Sequence, residues 1–145
     1  MSDTCQTCYQ TARKHAGFTQ ESAAGFLGIS PRTLAAYEAS LNPVPDDIAV
    51  RMVELYRAPE LEYRHLQLNP VARLFLPPLD DKTLSQAALS LISAAKNYEN
   101  KQNLMIEVCA DGKVENAEAA QWAEVNEAIR GLVRAAFTLL YANKD

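Results

Sequence analysis

Several groups of residues in this 145-residue sequence have the types and spacing to do chemistry. Cys5 and Cys8 form Cys-x-x-Cys, and with His15 and Cys109 they could supply the four nitrogen or sulfur ligands that tetrahedral zinc takes. No second cysteine pair stands at a zinc-ribbon spacing, so two free thiols near the N-terminus are the better account, with a redox role for the pair a weaker option. The run "EVCADGKVENAE" puts Gly112 sixth and Glu118 twelfth in a calcium-loop frame beginning at Glu107. Cys109 then replaces an oxygen ligand and Lys113 sets a positive charge beside the ion, so a plain turn between helices fits better. His15 and His65 have no acid–base partner at a suggestive spacing, and no serine stands in a strained nucleophile motif. The expectation is a protein that is not an enzyme and has no metal and no cofactor. What is left is the stretch "FTQESAAGFLGISPRTLAAYEAS", Phe18 to Ser40, two short helical patterns back to back across a Gly-Ile-Ser corner that could place a helix in a DNA groove.

The whole chain limits how such a contact could work. A formal charge of −4 and a pI near 5.2 argue against a protein held on nucleic acid by bulk positive charge. Residues 1–66 carry six Lys or Arg against eight Asp or Glu, and residues 67–145 carry eight against ten. Between Arg13 and Asn42 there are three cations (Arg13, Lys14, Arg32) against two anions (Glu21, Glu38), so the candidate face is the least acidic part. Any DNA binding must therefore be local and geometric. No apolar run approaches a membrane span, and "MSDTCQTCYQ" lacks the regions of a signal peptide, so no membrane association and a cytoplasmic location are expected. In a reducing compartment the three cysteines read as free thiols.

The elements that form this corner can be read from helical periodicity and its punctuation. Tyr9, Ala12 and Ala16 recur at helical spacing before Gly17, which marks a first helix. Thr19 is an N-cap for a second helix carrying Ala23, Ala24 and Leu27 and ending at Gly28. Ser30 followed by Pro31 is the clearest helix start in the chain, and Leu34 and Tyr37 then face inward. After the loop "LNPVPDD", Asp46 or Asp47 opens a fourth helix that ends near Ala58, and a short fifth runs from Glu60 to Leu66. "LNPVARLFLPPLDD" breaks the pattern with three prolines and an apolar patch at Val71, Leu74, Phe75 and Leu76, which is expected to be buried between the two halves. Two long amphipathic helices follow, from Thr83 to about Met105 and across Trp122 to Leu139. "CADGKVENAEA" joins them with an Asp-Gly turn and Asn116 as a cap, giving an antiparallel hairpin.

Ala12 and Arg13, "GFTQESAAGFLGIS" and "TLAAYE" resemble the Cro-like phage-repressor helix-turn-helix family, also called XRE-type, over about Tyr9 to Leu66. The resemblance implies a five-helix lambda-repressor-like helix-turn-helix unit at 1–66 of an all-α fold; the residue pattern adds an apolar, proline-rich connector at 67–82 and a C-terminal antiparallel helical hairpin at 83–145, a candidate dimerisation or regulatory region. The resemblance places a recognition helix at about Pro31 to Ala39 in the major groove of a double-stranded DNA operator. The DNA-binding set it implies is Thr19, Gln20, Ser30, Pro31, Arg32, Thr33, Ala36, Ser40 and Asn42, with Gln20 on a phosphate. Arg13 and Glu38 match positions that pair in the family, a structural ion pair fixing the first helix against the third. Pro31 and Ala36 depart from the polar residues common in the family, and the loop after the third helix lacks its usual basic clamp.

Two functions follow. The first is a sequence-specific transcriptional regulator of the phage- or mobile-element repressor type, acting as a homodimer with a regulatory protein partner as a further option. The second is a protein-interaction module on the same scaffold with little or no DNA binding, to which the acidic charge and the alanine-rich third helix point.

Overall fold

The computed structural model describes the backbone of residues 3–142 and the side chains of 8–142. Among these residues the fold is all-helical, and it divides into two compact units, Met1–Leu76 and Pro77–Asp145. The connector expected at 67–82 is thus shared between the two units.

In the first unit, α1 (Asp3–His15), α2 (Gln20–Leu27), α3 (Pro31–Glu38), α4 (Asp46–Tyr56) and α5 (Glu60–Leu66) follow one another through short links. Thr19 caps α2 by accepting from the Ser22 N–H, and Ser30 caps α3 by accepting from the Thr33 N–H at 3.0 Å. Between them the chain needs only Gly28 and Ile29. Gly28 adopts the left-handed conformation (φ 69°), and the Ile29 N–H donates back to the Ala24 carbonyl at 3.0 Å, ending α2 and turning the chain within one residue. Ala23, Ala24, Leu27 and Leu34 are buried at this corner and share one core with Ile48, Met52 and Leu61. The fourth helix ends two residues earlier than periodicity implies, because Arg57 takes the left-handed conformation (φ 52°) and Ala58 instead donates to the Val53 carbonyl.

The apolar patch after α5 stands at the boundary between the two units. Residues Ala72–Leu74 form a single 3₁₀ turn, held by Arg73 Nε donating to the Gln67 carbonyl at 2.6 Å. One turn has few inward positions, and Ala72 is the buried one; Val71, Leu74 and Phe75 are exposed, Leu74 to 81%.

The second unit is a hairpin of α6 (Leu84–Cys109) and α7 (Ala119–Leu140). A capping box opens α6, with Thr83 and Gln86 satisfying each other's backbone N–H groups. The loop turns at Gly112 (φ 77°), and Asp111 accepts from the Lys113 N–H at 2.9 Å. Asn116 is not the cap of α7. It lies inside a 3₁₀ turn, Asn116–Glu118, whose capping box joins Glu115 and Glu118, because the longer acidic side chain can reach back to the free N–H. The hairpin buries Ala87, Val108, Val125, Ala128, Ala135 and Thr138 at its seam and leaves the rest of the sequence stripe half-buried apart from the exposed Leu84; Leu89, Ile92 and Ile106, which lie off that stripe, are also exposed. Two helices alone share one line of contact, and the flanks of each stripe need further cover.

The corner yields a stability prediction. A Cβ at Gly28 would meet nothing nearer than Arg51 Nη1 at 3.9 Å, so Gly28→Ala should cost about 1 kcal/mol through backbone conformation alone, read as a lower urea midpoint with an unchanged slope.

Candidate nucleic-acid interface

The side chains named from the sequence fall into an inner and an outer group. The inner group is an ion pair with attachments. Arg13 Nε donates to Glu38 Oε1 at 2.6 Å and Nη2 to Oε2 at 3.0 Å, while Nη1 donates to the Phe18 carbonyl at 2.7 Å. Both side chains are buried, so the pair joins α1, the α1–α2 link and α3 in a fixed arrangement. The hydrogen bonds it donates to Glu38 hold the Arg13 guanidinium above even its high ordinary pKa, against the opposing effect of burial.

Gln20 belongs to this inner group as well. Its Nε2 donates to Glu38 Oε2 at 2.8 Å, so the first residue of α2 is anchored on the last residue of α3. An amide held by a carboxylate has one of its two N–H groups committed, and the other remains for an anion near the start of the helix. Sequence periodicity carries no signal of this bond, because 18 residues separate the partners.

Tyr56 packs on the same cluster, its ring 6.1 Å from that of Phe18. Burial, reinforced by the Glu38 charge, pushes its phenol up to about 12. Among the described residues no group hydrogen-bonds the Tyr56 hydroxyl. A second polar chain, also absent from the sequence reading, runs along the other side of the unit: Tyr9 Oη lies 2.5 Å from His65 Nδ1, and His65 Nε2 lies 2.9 Å from Asp46 Oδ1. It ties α1 and α5 to the start of α4, so His65 has partners that spacing does not reveal.

The outer group is exposed and sparse. Pro31 and Arg32 stand in the first turn of α3, and Arg32 has no partner among the described residues. The Ser30 and Thr33 hydroxyls lie 2.8 Å apart across the N-terminus of α3, and Thr19 and Ser22 pair likewise at α2. Ala36 is half-buried, while Ser40, in the left-handed conformation (φ 51°), and Asn42 are exposed after α3. Of the zinc candidates, the Cys5 side chain lies outside the described residues; Cys8 and Cys109 lie in different units, and no described cluster of His, Cys, Asp and Glu could hold a metal ion.

Residues 10–66 match the family model of a helix-turn-helix domain. This span covers α2, the Gly28–Ile29 corner and α3, and ends with α5. No curated protein and no solved structure matches the chain. The helix-turn-helix domain points to a DNA-binding regulator, and no described helix is long and apolar enough to cross a membrane.

Two substitutions separate the roles of the inner cluster. Glu38→Ala should destabilise the helix-turn-helix domain by about 3–5 kcal/mol, because it leaves the Arg13 charge buried without a counterion. Tyr56→Phe removes a hydroxyl that burial desolvates and no described group satisfies; stability should hold or rise by about 1 kcal/mol. Thermal melts of the two variants beside the parent chain check both.

Proposed function

We propose that the protein is a sequence-specific transcriptional repressor of the XRE type, which reads one operator half-site through α3. The observation that carries this reading is the exposed, unpartnered Arg32 in the first turn of a helix whose opposite face is fixed by Leu34 and Glu38. A guanidinium on a braced helix start can take the O6 and N7 of a guanine together. Gln20, anchored by Glu38, adds a phosphate contact, and Thr19, Ser30, Thr33, Ser40 and Asn42 supply further polar groups for the backbone. Pro31 and Ala36 contribute shape and an apolar contact to a thymine methyl.

A short helix with one base-reading cation is too weak alone, so the reading includes a homodimer. The hairpin supports it: Leu89, Ile92 and Ile106 are exposed on α6, in a unit whose two helices bury only a narrow seam. A second hairpin laid on these flanks makes a four-helix bundle, the usual way for long amphipathic helices to complete their cover.

The alternative, a protein-interaction module, draws on Phe26, 71% exposed on α2, a large aromatic on a face that would approach the DNA backbone. Selection of bound duplexes from a random pool at moderate salt distinguishes the two. The parent chain should enrich a palindromic motif; Arg32→Ala should blur one position in each half-site at a cost of about 1–3 kcal/mol, and Gln20→Ala should weaken all sequences evenly. Absence of any enriched motif from folded protein sinks the repressor reading. Ile92→Glu should shift sedimentation towards the monomer if the hairpin pairs.

A further inference from the structure

The helix α6 carries a second amphipathic pattern on the side that α7 leaves open. Towards α7 it buries Ala87 and Val108 and half-buries Leu91, Ala94, Tyr98 and Met105. Offset from that face runs a line of exposed positions in which Leu89, Ile92, Lys96, Glu99, Asn103 and Ile106 follow one another at alternating spacings of three and four. Such alternation is the heptad pattern that sets a continuous seam of side chains against a second helix. Leu89, Ile92 and Ile106 are 68%, 65% and 64% exposed. From Ser85 to Glu107 every exposed residue off this line is polar, as at Gln86, Ser93, Asn97, Asn100 and Gln102. The apolar exposure of the helix body is thus confined to one line instead of being scattered, which marks a contact face.

The charges on that line identify what covers it. Of the charged residues of α6, Lys101 is paired with Glu124 of α7 at 2.7 Å, and Glu107 lies off the line. Lys96 and Glu99 lie on it, exposed and without a partner among the described residues. In heptad terms Leu89, Lys96 and Asn103 occupy a positions, and Ile92, Glu99 and Ile106 occupy d positions. Antiparallel helices set a against d. Laid antiparallel on itself about a two-fold axis between Asn97 and Tyr98, α6 brings Leu89 to Ile106, Ile92 to Asn103 and Lys96 to Glu99 of the second copy, and each contact is made twice. Laid parallel, it sets Lys96 on Lys96 and Glu99 on Glu99, and like charges brought together at a seam oppose pairing. The helix α7 has no equivalent line, since its exposed side carries Glu124, Glu127, Arg130 and Arg134.

We propose that two copies of this chain pair through α6 in antiparallel register, with Lys96 and Glu99 forming two reciprocal ion pairs about the axis and Leu89 and Ile106 covering each other at both ends. The proposal rests on the homodimer of the functional reading and adds its contact face, direction and register. The aliphatic ends supply the attraction. The ion pairs decide direction, because exposed pairs contribute little affinity whereas like charges in the wrong arrangement are costly.

The test is sedimentation equilibrium of the full chain over a dilution series, for the parent, Lys96→Glu, Glu99→Lys and the variant with both substitutions. In the antiparallel register each single substitution sets like charges together at two places and should weaken the dimer by at least roughly tenfold, whereas the double variant restores opposite charges and should pair within about threefold of the parent. Equal far-UV helicity in all four proteins separates loss of pairing from loss of fold. Single variants that dimerise like the parent, as a parallel seam or a different face requires, overturn the proposal. So does a double variant that stays as weak as the single ones. A parent chain that is monomeric throughout the series overturns the homodimer together with this seam, while a stable dimer indifferent to the exchange of charges overturns the seam alone.

Discussion

The geometry of the N-terminal unit depends on one buried ion pair. Arg13 and Glu38 are both almost fully enclosed, and a lone charge in either position would be strongly disfavoured. Each is satisfied only when α1 and α3 meet in one relation, with the guanidinium also capping the Phe18 carbonyl and the carboxylate also holding Gln20. A hydrophobic contact would tolerate a slide of one helix over another. A bidentate pair with two further hydrogen bonds does not, so the exposed face of α3 is presented at a fixed angle.

Around that constraint, the corner between α2 and α3 has little freedom. Gly28 and Ile29 close α2 while Ser30 and Pro31 open α3, so the turn contains no residue without a backbone task. Ala23 and Ala24 let the helices approach, and Leu27 and Leu34 fill the space beneath. The outward residues are left to solvent and to whatever the face binds. The acidic charge of the whole chain and the scarcity of cations on this face leave little attraction to phosphate at large.

The C-terminal unit follows a different logic. Its two long helices bury small residues along their seam, which allows close approach but covers little apolar area. Here the polar ties lie at the edge: Asp80, bound to Arg134, Lys82 and Thr138, fastens the leading segment to the hairpin. Its carboxyl is held below the usual aspartate range, first by the Arg134 hydrogen bond against the opposing effect of burial, with Lys82 adding to the lowering.

The sequence by itself determined most helix boundaries of the first unit, since caps and breakers act over three or four residues: Thr19, Gly28 and Ser30 with Pro31 all function locally. It also carried the helix-turn-helix corner and the all-helical class, because both rest on periodicity and on small residues at fixed intervals. Only the tertiary structure decided the contacts made at long separation. Gln20 on Glu38, His65 between Tyr9 and Asp46, and Tyr56 against the ion pair join residues 18 to 56 positions apart or on different helices, and no local pattern encodes them.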